Sequence, residues 1–162
     1  MLTAHLPSGY VLARGFGVRG GRAMGAALLG AVFPDFDMIA FHLIDDRAIH
    51  HHRYWFHIPL FWVAVATVTL SLVWRTTWRL PGMLFFAGVF LHLLLDTIAG
   101  GIMWGAPVSD HLFTFVTVPP VYGNWVTNFV FHWTFLLEIA VWIAAMVLGL
   151  GHVRALRDDR RP

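Results

Sequence analysis

The chain has 162 residues, 58% of them apolar and only 12% charged, with a formal net charge of +2, ten His and no Cys. A mean hydropathy of +0.67 and a charged fraction well under the roughly 25% of soluble domains argue against a water-soluble globule. The lack of Cys excludes a disulfide scaffold, a thiolate metal site and a cysteine nucleophile.

In chain order, residues 1–22 contain Pro7, Gly9, Gly15, Gly17, Gly20 and Gly21, which predicts no long regular helix, only a short or partly inserted one. The start lacks a basic region followed by an uninterrupted apolar run, so no cleavable signal peptide is expected. The first predicted span, 23–41, is apolar until it meets "PDFD". Pro34 removes a backbone donor there and predicts a broken helix whose second half opens a polar site. A second span at 58–74 is free of charge but short against the usual range of about 17–25 residues. The third, 82–104, contains His92 and Asp96; the fourth, 126–150, contains His132 and Glu138. Between them lie a tight turn at 75–82 and a loop at 105–124 with room for one short helix, and a charged tail follows at 152–162. The expected fold is all-α: one multipass transmembrane helical bundle of about four spans plus a short N-terminal helix.

Alternation of four spans puts Arg14, Arg19, Arg22, Arg75, Arg79, Arg154, Arg157, Arg160 and Arg161 on one side and only Arg47 and Arg53 on the other. The positive-inside tendency makes the first side cytoplasmic and points to the cytoplasmic (inner) membrane. The pI near 9.7 then reflects topology, and no nucleic-acid partner is expected.

Ionisable groups inside an apolar layer are costly and mark function. His92 and Asp96 are four residues apart and share a helix face, with Asp96 roughly 10 Å from the outer end of its segment at 1.5 Å per residue. His132 and Glu138 fall at comparable depths on the fourth segment, Asp35 and Asp37 follow Pro34, and His52 and His57 adjoin from the outer loop. Imidazole with carboxylate suits a divalent first-row ion, Zn²⁺ first and Mn²⁺ next. Seven ligand candidates suit two ions sharing a bridging Asp as well as one. Arg53 is placed to hold a phosphate oxygen, and Asp37, Asp96 or Glu138 to accept a proton from water. His42, His50, His51, His111 and His152 read as surface or interfacial residues, and the Trp and Phe side chains as membrane-belt anchors. Gly and Ala at 25–31 permit close packing, within the chain or in a homodimer.

The order His5, Pro34-Asp35-Phe36-Asp37, His52-Arg53-Tyr54-Trp55-Phe56-His57, His92-Leu93-Leu94-Leu95-Asp96, Gly101 and Pro107 resembles the YdjM-like family of membrane-bound metal-dependent hydrolases. The resemblance implies a multipass inner-membrane protein with a metal-dependent hydrolase activity and adds His5 to the ligand set, although straight topology puts His5 on the cytoplasmic side. A weaker similarity to zinc-dependent phospholipase C implies a lipid phosphate or lipid-linked substrate. Tyr54, Phe56 and Ile58 replace smaller residues of the family's middle motif, bulk that is expected to narrow the pocket. The function expected is thus a membrane-embedded metal-dependent hydrolase acting on a lipid phosphoester. A proton or divalent-metal carrier and a noncatalytic membrane scaffold are the alternatives.

Overall fold

The computed structural model describes all residues except Leu2, Arg47 and 159–162, and for 155–158 the helical backbone alone. The sequence readings of Arg47, Arg157, Arg160 and Arg161 therefore lie outside what is described. Helices run in the order α1 (His5–Gly15), α2 (Gly21–Val32), α3 (Asp37–Leu43), α4 (Pro59–Val73), α5 (Arg79–Ala99), α6 (Trp125–Val130) and α7 (Phe135–Asp158). Single 3-10 turns at Pro34–Phe36, His51–Arg53 and Trp55–His57 join them. The fold is an all-α bundle.

Among the described residues two helices are long and apolar enough to cross a membrane, Arg79–Ala99 and Phe135–Arg154, and a third span is completed if the bent pair α2 and α3 counts as one. The expectation of about four spans is cut back at 58–74, and the start of the last span is moved. The 58–74 stretch forms a helix of only 15 residues, about 22 Å long against a hydrocarbon layer of about 30 Å. Ile58 is extended ahead of Pro59, and Trp74 already leaves the helix at the other end. The 126–150 stretch is interrupted. Asn124 caps α6, its side chain accepting the Thr127 N–H at 2.8 Å, and the chain turns through His132 and Thr134 before α7 starts at Phe135. The break expected at Pro34 is present, as a 55° bend between α2 and α3.

The N-terminal segment forms an 11-residue helix, longer than its glycines suggest, and it packs on α2, α5 and α7. Small residues make this packing tight. A Cβ on Gly30 would lie 2.0 Å from the Phe85 carbonyl oxygen, and one on Gly88 2.7 Å from that of Ala27. Around the α1–α2–α5 contact Ala13, Met24, Ala27 and Leu84 are buried. Trp62, Phe86, Val89, Leu93 and Ile102 form a second core between α4 and α5.

This packing brings the starts of α1, α4 and α7 and the ends of α2 and α5 to one end of the bundle. At the other end Arg79 lies over the Trp74 ring at 4.0 Å and Arg22 over that of Trp78 at 5.2 Å, contacts that fix aromatic and cationic groups side by side.

Because Gly30 meets backbone, Gly30→Ala should force α2 away from α5 and cost about 1–3 kcal/mol or more. Gly25, on the same helix with nothing within 4 Å of its missing Cβ, should accept Ala and gain up to about 1 kcal/mol. Thermal unfolding of the two variants in detergent, followed by circular dichroism, checks the contrast.

Candidate metal centre

Asp96 sits on the last turn of α5, 2% exposed, and its carboxylate is the hub of the site. Three imidazole Nε2 atoms face its Oδ2: His92 at 3.0 Å, His52 at 3.5 Å and His57 at 3.5 Å. His5 Nε2 and the amino group of Met1 face the other oxygen, Oδ1, at 3.2 and 2.5 Å. Asp35 Oδ1 lies 3.7 Å from His92 Nε2. Helix spacing explains part of this, since His92 and Asp96 are i,i+4 neighbours. The rest depends on the bend at Pro34 and on the consecutive 3-10 turns, which put His52 and His57 on one side of a short loop.

Each of the three imidazoles is fixed through its other nitrogen. His92 Nδ1 is 2.8 Å from the Ala31 carbonyl, His57 Nδ1 is 2.5 Å from Asp37 Oδ2, and His52 Nδ1 is 3.0 and 2.8 Å from the carbonyls of Gly100 and Gly101. A carbonyl only accepts, so Nδ1 of His52 and of His92 must carry the proton. Burial pushes His52 down to about 3, against the pull of Asp96. The neutral ring therefore presents a bare Nε2 lone pair to a carboxylate oxygen, an arrangement that calls for a cation between them.

Further signs agree. His92 Nε2 and His57 Nε2 are 3.3 Å apart, and metal–nitrogen bonds of about 2.0–2.1 Å in a tetrahedron give an edge of about 3.3 Å. Nδ1 of His5 and Oδ1 of Asp37 are buried without a hydrogen-bond partner. Burial alone would push His57 down, but Asp37 and Asp96 outweigh it and raise it to about 9, so the cluster draws positive charge. The residues thus fit a divalent ion, in two overlapping groups: Asp35, His57, His92 and Asp96, and His51, His52 and His57.

The other sequence candidates sit differently. His5, assigned through the family motif alone, is 4% exposed and stacked on His92 at 3.8 Å; α1 carries it into the bundle. Asp37 acts through His57. His132 Nδ1 pairs with Thr134 Oγ1 at 2.9 Å, on the turn before α7 and in neither group. Glu138, fully buried, accepts from the backbone N–H and hydroxyl of Thr3 at 2.7 and 2.6 Å. Arg53 Nη1 lies 3.8 Å from Asp110 Oδ2. His51, read as a solvated loop residue, joins His52 and His57; burial pushes it down to about 4, with His57 adding to the effect. Its adjacency to His52 was the available signal, but a run of three His does not say which faces inward.

A cavity of about 880 Å³ opens beside the cluster. His51, His52, Asp96 and Gly101 form its polar end, and Met38, Phe41, Leu112, Val116, Trp125 and Phe129 much of its apolar wall. Tyr54 and Phe56 do not line it. Tyr54 donates to Asp45, and the Phe56 ring packs near Phe33 and Trp62 at 5.8 and 6.2 Å, so their bulk does not narrow this cavity as expected.

No curated protein and no solved structure matches the chain. Residues 1–157 match the YdjM inner membrane protein family, and over nearly its whole length the chain belongs to that family.

Proposed function

We propose that this protein is a membrane-embedded metal-dependent hydrolase that cleaves a phosphoester of a lipid or lipid-linked substrate. The observation that carries the reading is the convergence of three Nε2 atoms on Asp96 Oδ2, each ring held through Nδ1. A divalent ion, Zn²⁺ first and Mn²⁺ next by its nitrogen and oxygen donors, supplies Lewis acidity and an ionised water when bound. His57, His92, Asp96 and Asp35 hold it, with His52 and His51 beside them and His5 on the far oxygen of Asp96. Asp37 orients His57, and such partners of ligands are worth about 10–100-fold in affinity or activity. The carboxylate of Asp35, 40% exposed, is the one open to solvent and suited to accept a proton from an attacking water.

The lipid assignment is supported by the cavity, whose volume of about 880 Å³ lies in the usual ligand range of about 300–1,000 Å³. It joins a polar end to an apolar body, as a phosphate headgroup and acyl chain require. The positive-inside tendency puts the Arg-bearing end in the cytoplasm and the cluster in the outward half of the inner membrane. A carrier would need a polar path through the bundle, and the level beneath the cluster is filled by Ala13, Met24, Ala27 and Leu84.

Elemental analysis of detergent-purified protein tests the reading. About one or two equivalents of a divalent first-row metal are expected in the wild type, and almost none in His92→Ala or Asp96→Ala. Metal-free wild type, with both variants folding normally, would sink the hydrolase reading. Asp37→Asn should keep the fold and weaken Co²⁺ binding by about 10–100-fold, read by titration.

Glu138 has a separate expected signature. It anchors Thr3, two residues ahead of His5, so Glu138→Gln, which can still accept both hydrogen bonds, should leave the Co²⁺ absorption spectrum unchanged. Glu138→Ala should alter it as His5→Ala does and raise hydrogen exchange at the Thr3 amide. A proton-accepting Glu138 would differ in one readout: Gln would lose phosphoester hydrolysis although its spectrum stays normal, whereas an anchoring Glu138 predicts that Gln keeps both.

A further inference from the structure

Residues 100–124 connect α5 to α6 without a helix. Their middle crosses the end of α5 as a single non-helical strand of chain, bridged to Ile102 at Phe113 and bent at Phe115. The Phe113 N–H donates to the Ile102 carbonyl, and those of Phe115 and Val116 to the carbonyls of Thr97 and Ile98, each at 2.9 Å. Exposure alternates along 112–118, although exposed Thr117 also reaches the cavity. Leu112, Thr114, Val116 and Val118 are half-buried and line the cavity. Phe113 and Phe115 point the other way, 44% and 67% exposed, with their rings edge to face at 5.2 Å. The wall between the cavity and the exterior is one strand thick.

The exposed face continues into Val121 and Phe131. From Trp104 to Leu137 the single Asp, Glu, Lys or Arg is Asp110, which leaves a polar partner little to pair with. The level of this strand in the bilayer follows from its bonds. Arg79–Ala99 has 21 residues, about 30 Å of helix, which equals the thickness of the hydrocarbon layer. Thr97 and Ile98 are on its last turn, so the strand lies at the layer's edge. Aromatic side chains concentrate there, whereas non-helical backbone is not tolerated deeper against lipid.

We propose that residues 112–131 form a lipid-facing wall of the cavity, with Phe113 and Phe115 against the bilayer, and that an acyl chain enters the cavity past this wall from within the leaflet. The entry route rests on the lipid-substrate reading above; the placement of the wall does not.

The absence of Cys from the chain makes single-Cys labelling unambiguous. A fluorophore is attached at Phe113→Cys or Phe115→Cys on the outer face and at Leu112→Cys or Val116→Cys on the cavity face. Each protein is placed in phosphatidylcholine vesicles with plain or brominated acyl chains, and aqueous iodide serves as the opposing quencher. Brominated lipid should quench the outer-face labels more strongly than iodide, and should quench the cavity-face labels as well. Iodide quenching of the outer face would overturn the wall, and so would protection from both quenchers, which would show a second copy or another protein covering it. Outer-face quenching with cavity-face labels untouched by brominated lipid would overturn the entry route. Two positions per face guard against one misfolded variant. No metal is needed for the signal, so a failure here is distinct from a metal-free result in the elemental analysis.

Discussion

The Asp96 carboxylate is buried on the last turn of a membrane span, and a buried ion without compensation costs several kcal/mol. That one charge organises this end of the bundle. Four imidazoles and an amino group are drawn within 3.5 Å of its two oxygens, from the N-terminus, the loop ahead of α4 and α5 itself. Removing the carboxylate would leave those groups facing one another. Removing them would leave a lone anion in an apolar layer.

The backbone shares this task. The carbonyls that fix His92 and His52 belong to Ala31, at the end of α2, and to Gly100 and Gly101, just past α5. Ala31 reaches His92 because α2 lies against α5 at the distance Gly30 and Gly88 allow. Gly101 has φ +78° and a Cβ on Gly100 would lie 2.6 Å from His52 Cε1. Gly101 adopts its positive φ without a steric cost and Gly100 leaves room for the ring, so the chain can turn beneath the imidazole. The helix packing and the ligand geometry are therefore one constraint: a shift of α2 would move the tautomer-setting partner of His92.

How much of this was legible depended on whether the signal was local. The His92 and Asp96 pair follows from helix period, and the bend at Pro34 from proline's missing donor, so both could be read directly. His5 could not, because nothing in residues 1–15 says that a helix broken by so many glycines nearby will pack back into the bundle; only the motif resemblance pointed to it. The spans at 58–74 and 126–150 misled for a related reason. Hydropathy shows where a chain is apolar but not where hydrogen bonding stops the helix, and the stops here are Pro59 after an extended Ile58 and the Asn124 cap with the turn at His132. That turn also places Glu138 on the first turn of α7, where it accepts from Thr3. His51 was obscured by its neighbours, since three consecutive imidazoles differ in role only through the 3-10 turn that separates their directions.

The location of the cluster adds a constraint on chemistry. A site deep in hydrocarbon would hold its charges cheaply only as a fixed ion pair, while one in open water would lose the burial that keeps His52 neutral and its lone pair available. The end of α5 lies between these extremes. There the 112–118 segment borders the cavity, with Leu112 and Val116 lining it and Phe113 and Phe115 exposed. An arrangement that joins a polar, carboxylate-centred floor to an apolar wall favours an amphipathic ligand over a purely aqueous or purely apolar one. On the proposed placement, the same physics that confines polar residues to the end of a span sets them where headgroups and acyl chains meet.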